Sequence, residues 1–318
     1  MYYYELFSHS DRFSYRAHII SNSTCVLILC TVLTFLSPFL LTYYTGDFWA
    51  NDLASSEQPR LGNQFKYILI VESQPETSST NRFFTSSYSV INSNFANNMI
   101  PASGTISPSD TDGDGLIDQI RVSYDLAFTT ALTIESINLW LIFPFELHNK
   151  QRLTMETMAL ISIVPSYQIT TSSNKNLTVY GQLKFEQKLP IEYSGNNSIY
   201  NQSIINVDNT LSTLPDLDSI LSEYFTRNFY TTFQQQYTSI SSRTTTSSDR
   251  ITINAVVNVG RQIIRYRPGF WQEFKWGWIQ YISVLLPFLC VFNRLRLFVF
   301  SNHLVRTLEP LKQHRHKA

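Results

Sequence analysis

Two apolar runs stand out along an otherwise polar chain. Thr24–Tyr44 reads TCVLILCTVLTFLSPFLLTYY, and Phe274–Phe292 carries no charge except Lys275. Each comes close to the roughly 20 apolar residues needed to cross a ~30 Å hydrocarbon core. Trp271, Trp276, Trp278 and Tyr281 crowd one end of the second run, while Arg294 and Arg296 close the other. Amphipathic rings favour the headgroup level and basic residues stop a span, so the two ends read as two interfaces. Pro287 is tolerable inside a membrane helix because neighbours or water satisfy the freed carbonyl. The first run is longer than a signal-peptide core of roughly 7–15 residues and no A-x-A-like site follows, so it reads as an uncleaved anchor. The expected transmembrane helices are 24–44 and 273–292.

Between them the period changes to two. Phe65, Tyr67, Leu69 and Val71 alternate with Lys66, Ile68 and Ile70, and Val122, Tyr124, Leu126 and Phe128 alternate with Arg121, Ser123 and Asp125. Such alternation predicts strands. Arg82–Ile91, Met155–Val164, Leu177–Leu189 and Ile251–Ile264 are further strand candidates. INLWLIFPF within Ala131–Leu147 is short for a third crossing and is interrupted by Glu135, Pro144 and Glu146, so a buried strand is expected there. One stretch, Asp216–Phe229, has helical spacing, with Leu217, Ile220, Leu221, Tyr224, Phe225 and Asn228 recurring at three and four. Pro215, Asp216 and Asp218 suit a helix start. Ser194–Thr213 and Thr238–Asp249 read as polar loops. The expected fold class is a membrane protein with two transmembrane α-helices flanking a mainly-β, sandwich-like domain over residues 45–272 that holds one short helix.

Charge sets the orientation. Twenty-four basic and 24 acidic residues leave a formal net charge of +0, which lacks the basic face a nucleic-acid binder needs. The tail 293–318 carries Arg294, Arg296, Arg306, Lys312, Arg315 and Lys317 against one acid, Glu309; the tail 1–23 carries Arg12 and Arg16. Positive charge is retained in the cytoplasm, so both tails are expected in the cytosol and residues 45–272 outside it. Arg261, Arg265, Arg267 and Lys275 point the other way, but long loops translocate largely regardless of charge. Glycosylation acceptors at Asn176, Asn196 and Asn201 suit an extracellular or lumenal domain. All three cysteines, Cys25, Cys30 and Cys290, fall in the spans, so the domain must rely on its core rather than on disulfides.

Chemistry concentrates in one loop. Ser109–Gln119 reads SDTDGDGLIDQ, placing Asp110, Asp112, Asp114 and Asp118 in a D-x-D-x-D-G-x-x-D pattern. Calcium takes 6–8 hard oxygen ligands, and alternate aspartates in a tight loop can converge on one ion. Gly115 permits the turn, the Leu116 carbonyl supplies a further oxygen, and Ile117 is expected to pack inward. An EF-hand needs a bidentate glutamate at the twelfth position, which here is Arg121, and a strand follows instead of a helix. The pattern therefore resembles calcium loops carried on β-hairpins. The competing reading is an Asx-rich turn without an ion. Structural calcium is the only expected cofactor. Enzyme chemistry has little footing: His148 is the only histidine between the spans, and no G-x-S-x-G, P-loop or H-E-x-x-H occurs. No catalytic residue is assigned.

Seven stretches carry a resemblance: YELFSH near the start with SYR at Ser14–Arg16, EQP at Glu57–Pro59, the DGDGLID loop, and YRPGFW followed by WIQYISVLLPFLCVF and FVF near the end. Together they resemble the transmembrane protein 231 family, over nearly the whole chain. That resemblance implies a two-pass structural protein of the ciliary transition zone. It implies work with B9-domain proteins, tectonic proteins and meckelin in the Meckel syndrome complex. It further implies support of the diffusion barrier at the cilium base, of cilium assembly and of ciliary membrane composition. A calcium-stabilised cell-surface adhesion or receptor subunit is the alternative expectation.

Overall fold

The computed structural model describes residues 21–45, 52–74, 81–94, 96–128, 132–165, 169–171, 174–193, 195–205, 217–242 and 250–306. The aromatic tail before residue 21, the helix-start residues Pro215 and Asp216, and the basic residues after 306 lie outside them. The elements begin with α1 (Asn22–Tyr44), β1 (Leu53–Glu57), β2 (Arg60–Leu61), β3 (Lys66–Ser73), β4 (Asn81–Ser86) and α2 (Ser89–Asn94). They continue with β5 (Ala102–Ser109), β6 (Gln119–Ala127), β7 (Thr133–Leu147), β8 (Arg152–Ile163), β9 (Ile169–Thr170), β10 (Lys175–Gln187) and β11 (Asn196–Asn197). The last are α3 (Leu217–Thr226), β12 (Phe229–Ser242), β13 (Arg250–Asn258), β14 (Gln262–Tyr266) and α4 (Phe270–Ser301). The chain divides into two compact units, Met1–Asn51 with Gly269–Ala318, and Asp52–Pro268.

The helical unit holds the two expected spans. α1 and α4 are the two helices among the described residues long and apolar enough to cross a membrane. α1 buries Cys30, Thr34, Pro38 and Thr42, a stripe at four-residue spacing. Small residues at that spacing let helix backbones approach closely. The hydroxyls do not stay unpaired, since Thr34 Oγ1 donates to the Cys30 carbonyl (2.6 Å) and Thr42 Oγ1 to the Pro38 carbonyl (2.9 Å). Tyr281 on α4 donates to the Phe35 carbonyl (3.4 Å). On α4 the rings of Phe270 and Phe274 stack and those of Phe274 and Trp278 meet edge to face, at four-residue steps, with Tyr281 continuing the belt. α4 runs nine residues past the expected end of the span at 292, to Ser301. Its 32 residues measure about 48 Å at 1.5 Å per residue, well beyond the ~30 Å core. Arg294 and Arg296 end the apolar run without ending the helix, because no glycine or proline stands there to break it.

The second unit is a sandwich of two large sheets, with a third, two-stranded sheet made by β1 and β14. One has the order β12-β10-β13-β6-β5; the other has β11-β8-β7-β3-β4, with β2 and β9 also on β7. Pairing is antiparallel except β10 with β13 and β11 with β8. Alternate residues of both sheets interlock in one core, including Leu69, Val122, Leu126, Leu139, Phe143 and Val179. Rings cross between the sheets, Tyr67 to Tyr124 at 4.6 Å and Phe145 to Phe185 at 5.2 Å. Pro144 sits inside β7 without cost to the ladder. β3 pairs only as far as Ile142, β2 begins at Phe145, and the Pro144 carbonyl accepts from Gly62 N, so the missing N–H also faces that gap.

The middle of the seven-stranded sheet is buried on both faces. Ile68, Ile70, Trp140, Ile142 and Met158 form a second cluster with Tyr224 of α3 and Ile205. Tyr224 anchors this layer: its hydroxyl donates to the Thr231 carbonyl (2.8 Å), accepts from Thr231 N (3.0 Å), and lies 2.7 Å from Thr157 Oγ1.

Four readings change. Arg82–Ile91 is not one strand, because Asn92 takes over the groups at the end of β4: its Oδ1 accepts from Ser86 N and its Nδ2 donates to the Ser86 carbonyl. The short helix ends at Thr226, leaving Asn228 to the connection and Phe229 to the next strand. Part of the expected polar loop after Thr238 continues β12, an edge strand whose outer half is exposed and shows no apolar alternation. Ile251–Ile264 divides at Val259–Arg261 into β13 and β14, which join different sheets.

Candidate metal-binding loop and its surroundings

The aspartate loop joins β5 to β6, an antiparallel hairpin, and Arg121 lies in the strand that follows. Two glycines make the turn, Gly113 at φ 78° and Gly115 at φ 83°. Left-handed backbone of this kind costs an L-residue about 1–2 kcal/mol, and no atom stands within 4 Å of where a Cβ would go. Gly115→Ala is therefore expected to lower stability by about 1–2 kcal/mol through backbone strain, with Gly115→Asn costing less. Thermal melts of the two variants check this.

Asp110, Asp112 and Asp118 bring carboxylate oxygens within 4.8 Å of one another; Asp114 is not part of that group. Loop N–H groups organise the acids. Asp110 accepts from Gly113 N (2.7 Å) and Gly115 N (2.8 Å), Asp118 from Thr111 N (2.7 Å), and Asp114 from Leu116 N (2.8 Å). Asp118 has a further partner that its sequence context does not reveal, Gln58, whose Nε2 donates at 2.8 Å. The Thr111 N–H, then Gln58, hold the Asp118 carboxyl below its ordinary value. At Asp112 the Asp114 N–H pulls down, but desolvation and the charges of Asp114, Asp118 and Asp110 outweigh it and leave the carboxyl raised. The donor set is hard oxygen and carries unrelieved negative charge, which fits a divalent cation at three of the five expected positions. Ile117 packs against the core, as its apolar character requires. The Asp118 carbonyl accepts from Val259 N (2.6 Å), tying the loop to the break between β13 and β14.

The EQP segment links this loop to a second turn. Glu57 Oε1 accepts from His148 N and Asn149 N, both at 2.8 Å, while Gln58 reaches Asp118. A cavity of about 480 Å³ opens between them, its lining including Glu57, Arg60, Asp114, Glu146, His148 and Arg261. His148 is exposed and its Nε2 lies 2.9 Å from Glu146 Oε2; among the described residues no hydroxyl hydrogen-bonds its ring. The alternation that marks strands carries no signal for this convergence, because its residues come from strand ends and the turns beside them, Glu57 closing β1, Arg60 opening β2 and Glu146 near the end of β7. The EQP triplet is its one visible trace in the sequence.

The acceptor asparagines differ in setting. Asn196 and Asn201 are exposed, at β11 and in the turn after it. Asn176 lies in β10, a strand paired on both sides, half-buried, where its Oδ1 accepts from Asn254 Nδ2 (2.7 Å) and Asn254 in turn accepts from Ser123 (2.8 Å).

A family profile described as Transmembrane protein 231 matches residues 1–309. The chain is similar to transmembrane protein 231 of Homo sapiens, 31% identical over 305 residues, covering 96% of this chain and 94% of the relative. It is 30% identical to that of Xenopus tropicalis over 308 residues, covering 96% and 95%. Among solved structures a proton-activated chloride channel aligns at 8% identity over 88% of this chain and 97% of that chain, with a TM-score of 0.31, too low to carry an argument.

Proposed function

This chain belongs to the transmembrane protein 231 family, and from that premise we propose that it is a structural membrane component of the ciliary transition zone. In this reading it supports the diffusion barrier at the cilium base, cilium assembly and the protein composition of the ciliary membrane. The observation that carries it is the match of one family along residues 1–309, with the spans and the β domain together. A barrier subunit needs what the fold offers: two exposed apolar helices and a folded module between them. Its partners are B9-domain proteins, tectonic proteins, meckelin and other transition-zone membrane proteins. Exposed Leu295, Leu297 and Phe298, beyond the end of the apolar run, offer α4 a partner contact in the cytosol. Tagged full-length chain is expected to concentrate beside a transition-zone marker, and deletion of 1–20 with 295–318 to disperse it. Spread of the intact chain over the plasma membrane would instead favour the adhesion or receptor reading, which the aspartate hairpin supports.

Residues 45–272 lie outside the cytosol in this proposal, with calcium held by Asp110, Asp112 and Asp118. Glycans then belong on Asn196 and Asn201, since a transferase needs an accessible amide and Asn176 is engaged in a strand ladder. Asn196→Gln and Asn201→Gln should each remove one step of glycosidase-sensitive gel mobility, and Asn176→Gln none.

A further inference from the structure

We propose that the outward face of β14 docks onto anionic phospholipid headgroups of the bilayer that α4 enters. The strand alternates strictly. Gln262, Ile264 and Tyr266 are buried, while Ile263 is 74% exposed and Arg265 is exposed. Arg261 and Arg267 extend the exposed set at either end, so one face reads Arg, Ile, Arg, Arg at two-residue steps. Among the described residues none of the three arginines forms an ion pair. Arg265 gives one N–H, from Nη2, to the Gln187 carbonyl (3.2 Å), which leaves most of its donor fork for a ligand. The paired strand adds no opposing charge, since Ala54 and Ser56 are the exposed residues of β1 opposite Arg265 and Ile263. Asp52, just before β1, makes no ion pair with Arg267. The face is rigidly held from behind. Gln262 Nε2 donates to the Leu183 carbonyl (2.9 Å), and Ile191 bonds the backbones of Arg265 (3.1 Å) and Arg267 (2.9 Å). Chain length ties it to the membrane. β14 ends at Tyr266 and α4 begins at Phe270, so only Arg267, Pro268 and Gly269 intervene. At up to ~3.6 Å per residue, Arg267 lies within about 11 Å of Phe270. Phe270 stands about 6 Å along the helix before Phe274, where the apolar run begins. Arg267 is thus tethered within about 17 Å of the hydrocarbon boundary whatever the tilt of the domain, and the headgroup layer itself takes up about 5–7 Å of that. Glu273 and Lys275 at the start of α4 cancel, so the arginines set the local sign. Planar guanidinium forks match phosphate oxygens. Ile263 favours a bilayer over an acidic protein segment, because the headgroup–acyl boundary offers an apolar surface beside the phosphates. A lipid role also accounts for basic charge at the end of α4 opposite to Arg294 and Arg296, against the positive-inside pattern. The inference needs only that α4 enters a bilayer, and it holds whichever compartment the β domain occupies.

The test places a reporter beside the arginines in the full-length chain. Cys25, Cys30 and Cys290 are changed to alanine, and Ala54→Cys, opposite Arg265 on the exposed face, carries a fluorophore. The protein is reconstituted in nanodiscs of phosphatidylcholine alone or with phosphatidylserine added, each with a tracer lipid bearing a nitroxide on its headgroup. Quenching of the fluorophore reads the ratio of docked to undocked domain, and chelator is present throughout so that calcium does not bridge the aspartate loop to lipid. Phosphatidylserine is expected to raise that ratio by roughly fivefold for each arginine engaged. Salt at ~1 M should cancel the rise, since the Debye length then falls to about 3 Å. Arg265→Gln with Arg267→Gln should lower the ratio by about 25-fold in the anionic disc. The melting midpoint should stay in place, because both side chains are exposed. Arg265→Lys with Arg267→Lys, which keeps the charge, should retain most of the docking. Equal quenching in the two discs, quenching indifferent to salt, or quenching that survives the double glutamine change overturns the proposal. So does a fluorophore unquenched in both discs, which would turn this face away from the bilayer and leave it to an acidic protein segment.

Discussion

Trp140→Ala is expected to destabilise the β domain by about 3–5 kcal/mol. Trp140 is 2% exposed and sits on the outer face of β7, opposite Ile68 of β3 and Leu160 of β8. It fills the second cluster, between the sheet and α3. Removing it leaves a cavity between the sheet and α3, so both the transfer and the cavity terms are lost. At roughly 2–4 °C per kcal/mol for a domain of this size, the melting midpoint should fall by about 6–20 °C. The far-UV signal of the β domain in the purified full chain reads this out. Trp271→Ala is the control, because Trp271 is 78% exposed on α4 and should leave that transition in place. Equal midpoints for the two variants would falsify the two-faced burial of the seven-stranded sheet.

Calcium is expected to raise the same midpoint by about 5–11 °C when present a hundredfold above its Kd. That excess corresponds to about 2.7 kcal/mol, converted at roughly 2–4 °C per kcal/mol. Extracellular calcium modules bind at ~10⁻⁴–10⁻³ M, so ~10 mM calcium, a hundredfold excess at the tighter end of that range, against chelator is the comparison to make. Asp110→Asn should abolish the difference, since Asp110 is one of the three converging acids and orients both glycine N–H groups of the turn. Acidity acts through the two shifted carboxyls. Asp118 titrates below its ordinary value when folded, so it adds stability above its unfolded pKa and loses it as pH falls through the folded one. Asp112 titrates above its ordinary value, so in chelator it favours the fold only at low pH and opposes it once ionised. A bound cation relieves that repulsion, and binding should weaken on acidification as protons compete for the same oxygens. A midpoint indifferent to calcium, chelator and Asp110→Asn alike would leave the loop as an Asx-rich turn.

What could be read along the chain and what could not divide by a physical line. Local periodicity carries information about burial on one face of one element, so the two spans, the strands β3, β6, β7, β8 and β10, and the short helix were legible before any fold was known. The aspartates were legible too, because side-chain chemistry and glycine spacing survive without tertiary context. Boundaries failed where the deciding contact was distant or nearby but polar: Asn92 capping the end of β4, or β12, whose exposed outer half shows no alternation because it lies at a sheet edge. Sequence could not show that β3 and β7 bury both faces, since a continuous apolar run looks alike in a sandwich core and under a helix.

The sequence by itself determined the membrane-protein class, the mainly-β module between two apolar helices, and the oxygen-rich loop, because each rests on residues within one element. Tertiary structure alone decided that Asp110, Asp112 and Asp118 meet while Asp114 stands apart. It likewise decided that Glu57 and Gln58 join two distant turns and that Arg60 and Arg261 face one cavity. Those facts depend on which strands pair and where connectors cross, and strand pairing is a property of partners far apart in the chain.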